Sequence, residues 1–246
     1  MVNYTRAVFS DIHANADALS AVLADMDAQD VRSRVCLGDI VGYAAQPLEC
    51  LEWVRALNCP VLKGNHDQGA ALNDPLIGIR GAAQIGILFS RGKLSAEQRT
   101  YLASLPLTRE EPACQFVHAS LDQPSEWNYV MSAWEALAHF AKQKQRLCFC
   151  GHTHVPMLWH LSPDGSLKCT RGEGHLDLPP EGRVLVNVGS VGQPRDQQSS
   201  ACYVLYHGDL DEIEFRRVPY DIAAARRKIL EAGLPAESGD RLLYGR

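Results

Sequence analysis

The chain of 246 residues is poor in several of the features that would assign it quickly. It has no apolar run approaching the roughly 18 residues of a membrane span. No basic segment followed by an apolar one precedes the first strand-like run, Ala7-Val8-Phe9, so the reading expects no secretory leader, no membrane partner and a cytoplasmic protein. Excess positive charge is missing: 24 Lys and Arg stand against 29 Asp and Glu, a net charge of -5. Extended nucleic-acid binding, which needs many phosphates neutralised, is therefore not expected. Neither Gly-x-Ser-x-Gly nor Gly-x-x-x-x-Gly-Lys-Ser/Thr occurs, which removes the usual serine nucleophile and phosphate-loop signatures. The eight cysteines contain no Cys-x-x-Cys pair and read as small buried hydrophobes. Low-complexity stretches and internal repeats are absent as well, and one domain over residues 1–246 is expected.

What is present is a regular alternation. Short apolar strands are predicted at Arg6–Ser10, Arg34–Leu37, Pro60–Lys63, Cys114–Val117 and Leu147–Cys150. Amphipathic helices are predicted at Asn15–Ala28 and Gln46–Leu57. Ser95 with Gln98, and Ser132 with Glu135, have the spacing of capping boxes that open two more. The second half reads as a hairpin (Met157–Leu161 and Ser166–Thr170), strands Arg183–Val188, Cys202–Tyr206 and Glu212–Val218, and a helix near Asp221–Ala232 stopped by Gly233. Gly172–Gly182, rich in glycine and proline, is predicted to be a surface loop. The pattern implies an α/β fold with two packed sheets and helices outside.

Polar residues gather where the strands end. The five runs are followed by Asp11-Ile12-His13, Gly38-Asp39, Gly64-Asn65-His66-Asp67, His118 and Gly151-His152-Thr153-His154. Ligands collect beyond the carboxyl ends of strands in open α/β sheets, so the five ends point to one site. Carboxylate, amide oxygen and imidazole without thiolate suit Mn, Fe, Zn or Co. These ligands are too many for one ion. Two ions about 3.5–4 Å apart need a shared oxygen, lower the pKa of a bridging water and hold phosphate oxygens during in-line attack. Gly38, Gly64 and Gly151 are expected to let the backbone turn sharply beside them.

The ordered set resembles the calcineurin-like metallophosphoesterase superfamily, and within it a small bacterial branch of phosphodiesterases. The resemblance runs from Asp11 to Asn187-Val188-Gly189-Ser190-Val191-Gly192-Gln193-Pro194-Arg195-Asp196. Val188 stands where proline is usual, and Ala14 where glycine is usual. The resemblance implies a four-layer α/β/β/α sandwich of two mixed sheets. It implies Asp11, His13 and His154 on one metal, Asn65, His118 and His152 on the other, and Asp39 on both. It gives His66 the role of proton donor or charge stabiliser. Mn is expected ahead of Fe, Zn, Co, Ni or Mg. The implied activity is hydrolysis of a small organic phosphate or nucleotide by metal-bridging hydroxide, as a phosphodiesterase. Phosphomonoesterase, dinucleoside polyphosphate hydrolase and a catalytically silent scaffold are the alternatives, and several relatives are homodimers.

Other residues keep two readings. Asn15 either approaches the substrate or caps the first helix. Arg195 either binds phosphate or pairs with Asp196 or another carboxylate. Asp67 either orients His66 or caps a helix. Tyr43 is a candidate cleft residue, while Arg216-Arg217 and Arg226-Arg227-Lys228 read as solvated faces. His139, His160, His175 and His207 are given no role.

Overall fold

In the computed structural model, which describes residues 5–112 and 114–246, strands and helices alternate as far as residue 150 and strands then predominate. In order they are β1 (Thr5–Phe9), α1 (Ala16–Ala28), β2 (Ser33–Cys36), α2 (Pro47–Ala56), α3 (Asn65–Ala71), α4 (Gly81–Lys93) and α5 (Ala96–Ser104). There follow β3 (Thr108–Glu110), β4 (Cys114–Val117), α6 (Ala133–Lys142), β5 (Leu147–Cys150), β6 (Met157–Leu161), β7 (Leu167–Arg171) and β8 (Gly174–Asp177). β9 (Arg183–Asn187), β10 (Ala201–His207), β11 (Glu212–Val218), α7 (Ile222–Glu231) and α8 (Ala236–Tyr244) complete the chain.

Two mixed sheets result. The first has the order β2-β1-β10-β11-β8, with only β1 and β2 parallel. The second has the order β3-β4-β5-β9-β6-β7, with β4, β5 and β9 parallel. Successive strand residues face opposite ways, and this alternation sorts the core into layers. Ala7 and Phe9 of β1 pack outward against Leu19, Val22 and Leu51 of α1 and α2. Val8 points the other way and joins Val35, Phe116, Phe149, Val184 and Val186 between the sheets. Cys148 and Cys150 flank Phe149 and turn to the far side, where they meet Ala136 and Phe140 of α6. The layers are therefore helix, sheet, sheet, helix. α7 and α8 close over Ala14 and Ala44 through Ala225, Ile229 and Leu242.

Both expected capping boxes form, Ser95 with Gln98 on α5 and Ser132 with Glu135 on α6. Asp221 caps α7 through the Ala224 N–H at 2.9 Å. Two expectations are corrected. Pro60–Lys63 is not a strand: it makes a single bridge, Val61 beside Cys36, before the Lys63 N–H turns away to Pro106. Pro60 has no N–H to extend the ladder. Gly172–Gly182 is not all loop, because β8 adds an edge strand to β11 in register with Glu212–Phe215. No helix among the described residues is long and apolar enough to cross a membrane.

Candidate metal centre

Six loops, those after β1, β2, β4, β5 and β9 and the one that opens α3, converge at one end of the two sheets. Their conformations are costly. Asp11, His13, Ala14, Asp39, Tyr43, His152 and His154 all have left-handed φ between 51° and 66°. Such backbone is unusual for residues other than glycine and concentrates where function fixes it. Of the three glycines marked in the sequence, only Gly38 turns with positive φ, 105°. Gly64 instead provides room, since a Cβ there would collide with Asp39 Oδ1.

The loops are tied to one another before any ligand is considered. Asp67 accepts the N–H groups of Asp39 (2.7 Å), Ile40 (2.9 Å), Val41 (3.4 Å) and Gly64 (3.1 Å), so it reaches back to cap α3 and braces the Asp39 loop. Burial and the Asp39 charge push its carboxyl up to about 7, against these donors. Asp39 Oδ1 in turn accepts the His66 N–H at 2.8 Å, and Asp11 Oδ2 accepts that of His152 at 2.9 Å. Ser190 donates to the Asp11 carbonyl at 2.8 Å, which brings the loop after β9 to the site.

The imidazoles point inward by the same logic. Nδ1 of His13, His118 and His154 lies 3.3, 3.0 and 2.6 Å from the carbonyls of Val41, Leu37 and Gln193. A carbonyl can only accept, so each Nδ1 carries the proton and each Nε2 is the inward-facing ligand atom. His13 Nε2 and His154 Nε2 are 3.0 Å apart. His154 Nε2 lies 3.2 Å from Asp11 Oδ1, while Asp39 Oδ2 lies 3.7 Å from His13 Nε2 and 3.4 Å from His118 Nε2.

Buried lone pairs that meet no hydrogen-bond donor test whether cations fit. Asp11 Oδ1, Asn65 Oδ1, His66 Nδ1, His118 Nε2 and His152 Nε2 are all shielded from solvent with no hydrogen-bond partner. Buried polar atoms without partners are rare and call for an unseen ion or water. The ligating atoms group as Asp11-His13-His154, Asp39-His118-His152 and His13-Asp39-His66. The donor set is oxygen and nitrogen throughout, with no sulfur, and it fits divalent cations. Its electrostatics agree. Burial alone would raise Asp11, but His154, His13 and His118 hold its carboxyl well below the usual range. Asp39 is likewise depressed, against its burial, by His118, His66 and His13. Burial would lower His118, yet Asp39 and Asp11 raise it to about 9, so positive charge is favoured at that edge. Burial lowers His154 to about 3 and His152 to about 4, leaving both neutral.

All seven residues expected to ligate metal are thus at one place, with His66 beside them; its ring centroid is 4.6 Å from that of His13. Burial lowers His66 well below its ordinary value. Asn15 takes the capping role: its oxygen accepts the Ala18 N–H, and its amide donates to the Gly192 carbonyl and Tyr220 hydroxyl. Both ends of that side chain are therefore engaged within the protein. Arg195 does not pair with Asp196, which is bound by Arg217. It donates instead to Tyr43 Oη (3.1 Å) and Gln193 Oε1 (3.0 Å), with its Nε buried and unpartnered. Tyr43 lies edge-on to His13 at 4.8 Å and is itself buried. The other basic runs are engaged elsewhere, Arg216 with Asp25 and Lys228 with Asp17.

The sequence did not single out Trp127 and Tyr129. Tyr129 stacks on His152 with centroids 4.2 Å apart, and Trp127 stands edge-on to His118 at 5.9 Å. They lie between β4 and α6, in a stretch with no periodicity to mark it. They form one wall of a cleft of about 410 Å³ that Asn65 and His152 also line.

The calcineurin-like phosphoesterase superfamily domain matches residues 5–210. A protein of Methanocaldococcus jannaschii, described only as uncharacterized, is 38% identical over the full length of both chains. A crystal structure of a metallophosphoesterase from Sphaerobacter thermophilus is similar with a TM-score of 0.87 at 36% identity, covering 99% of this chain and 100% of that one. A symmetrical bis(5'-nucleosyl)-tetraphosphatase of Actinobacillus pleuropneumoniae is 26% identical over 64% of this chain and 58% of its own length.

Proposed function

The chain belongs to the calcineurin-like phosphoesterase superfamily, and from that premise we propose that it is a two-metal phosphodiesterase acting on a small organic phosphate or nucleotide. Asp11, His13 and His154 would hold one cation, and Asn65, His118 and His152 the other. The observation that carries the reading is the place of Asp39. Its Oδ2 lies 3.7 Å from His13 Nε2 and 3.4 Å from His118 Nε2, which suits it to serve a cation on either side. Mn suits this oxygen and nitrogen set, as do Fe, Zn, Co, Ni and Mg.

When bound, such a pair lowers the pKa of water and neutralises phosphate charge. The remaining work falls to the chain. Asp67 holds the Asp39 loop in place through four backbone donors. Arg195, kept near the centre by Tyr43 and Gln193, would supply positive charge beside a bound phosphate. Water adds to phosphorus, the ester P–O bond breaks and the water's proton ends on the leaving oxygen, while His66, kept neutral by burial, would offer a ring N–H to that oxygen or to a phosphoryl oxygen. The products are an alcohol and a phosphate monoester.

The decisive assay uses metal-stripped protein reloaded with Mn, on bis-p-nitrophenyl phosphate and p-nitrophenyl phosphate. The expected result is metal-dependent hydrolysis, faster on the diester, and reduced at least 100-fold in Asp39→Asn and in His66→Ala. A faster monoester reaction would make the enzyme a phosphomonoesterase. Absence of turnover with metal bound would favour a scaffold, although no expected ligand is missing from this chain. The partial similarity to the tetraphosphatase supports a second reading, dinucleoside polyphosphate hydrolysis.

A further inference from the structure

The cleft of about 410 Å³ opens directly from the metal centre, with Asn65 and His152 at its inner end. His152 is only 6% exposed, and its Nε2 has no partner. Outward from it run two aromatic rings. Tyr129, 45% exposed, stacks on His152, and Trp127 stands edge-on to His118 beside it. The facing wall is Leu72, Leu76 and Ile77, the last 89% exposed. Trp127 and Gln123 flank the single 3-10 turn Pro124–Glu126 and hold left-handed φ of 57° and 52°.

Charge in this cleft has one sign. Asp74 and Glu126 stand on it, and no Lys or Arg is among its lining residues. Neither carboxylate enters an ion pair among the described residues; Arg91 reaches the Asp74 carbonyl at 3.4 Å, not its side chain. The candidate phosphate contact, Arg195, is not among the cleft's lining residues. A second phosphate group extending from the centre would meet aromatic faces and two carboxylates with nothing to neutralise it. An organic ring would stack on Tyr129 and Trp127, and a cation would gain from both the rings and the carboxylates.

We infer that this cleft is the subsite for the ester's alcohol group, and that it selects a flat or cationic organic alcohol against an anionic one. The inference rests on the phosphoesterase reading and disfavours a polyphosphate chain as the substrate's outgoing arm.

The test is a binding series that needs no turnover. Titration calorimetry on Mn-loaded protein would compare methylphosphonate with phenylphosphonate, and then phenylphosphonates bearing a para carboxylate or a para trimethylammonium. The ring should improve affinity at least fivefold over methyl. The trimethylammonium compound should bind at least tenfold tighter than the carboxylate. Tyr129→Ala should remove the gain from the ring, and the double variant Asp74→Asn, Glu126→Gln should bring the two charged compounds within about threefold. Equal binding of methyl and phenyl, or a carboxylate as tight as the trimethylammonium, would overturn the subsite. A correct binding order without any diester hydrolysis would keep the subsite and remove the phosphodiesterase.

Discussion

Ala14 sits one residue beyond the candidate ligand His13 with φ of 56° and its methyl wholly buried among Ala44, Ala225 and Ile229. Left-handed backbone costs an alanine roughly 1–2 kcal/mol, which explains why glycine is usual at this place in the family. Glycine would relieve that strain but lose a buried methyl, worth about 0.8 kcal/mol, and add freedom to the unfolded chain. Ala14→Gly should therefore change stability by less than about 1 kcal/mol, whereas Ala14→Val, branched and confined, should lose more than about 2 kcal/mol. Urea unfolding of the two variants measures both, and equal effects would refute the account. Asp67 is the more consequential residue. Its four accepted N–H groups have no alternative partner in the buried loop, so Asp67→Ala should cost about 3–5 kcal/mol and weaken Mn binding about 10–100-fold. Calorimetric titration would show a large loss or defeat the claim that Asp67 positions Asp39.

Among the elements, β5 is central: Phe149 lies between the sheets and stacks on Phe116 at 5.6 Å, while the loop after it carries His152 and His154. Phe149→Ala should destabilise by about 3–5 kcal/mol, read from the denaturation midpoint. A cost below about 1 kcal/mol would mean that the sheets do not depend on this contact. The strands that carry the candidate ligands were legible because each is a short apolar run ended by a conspicuous polar group. Asp11, Asp39, His118 and His152 could be placed at strand ends without knowing how the sheets pair. What escaped had a physical cause in each case. α4 contains Gly81, Gly86 and Gly92, which weaken its helical signal, yet Gly86 is required because a Cβ there would strike the Tyr43 backbone. β8 is a short polar edge strand whose pattern is carried by Leu176 and Leu178 alone, amid glycine and proline. Val188, where proline is usual, donates its N–H to the Cys150 carbonyl at 2.9 Å, a bond proline would forfeit. Arg195 was ambiguous in sequence because Asp196 is its neighbour, and only the fold shows that Arg217 takes that carboxylate.

For the molecule as a whole, a cation at the proposed centre would couple occupancy to stability. Anything that binds the folded state alone stabilises it, by about 2.7 kcal/mol at 100 times its Kd. Mn should thus raise the melting temperature in a concentration-dependent way, and Asp39→Asn should blunt the rise; an unchanged melting temperature in wild type would contradict the proposed centre. Acid should act through a second route. His139, on the buried face of α6 and accepting the Leu121 N–H at 3.1 Å, is lowered by burial from 6.5 to about 3. The folded state keeps it neutral while the unfolded chain takes up a proton below pH 6.5. Its contribution is therefore present above pH 6.5 and falls away as the pH drops toward 3. Between pH 7 and 5 the loss is about 2 kcal/mol. Metal-free His139→Asn should show a correspondingly shallower acid dependence in urea, and an identical slope would exclude this histidine as the cause.

His13 and His154 meet across 141 residues of chain, and they belong to loops that leave different sheets. A cation held by both closes that span as a covalent bridge would, with the difference that a chelator opens it again. The long circuit between them, which would otherwise roam widely in the unfolded chain, becomes a tethered ring whenever metal stays attached. Protection of amides in β1 and β5 against exchange should accordingly rise and fall together with occupancy, making the two sheets one cooperative unit in metal and two looser ones without it.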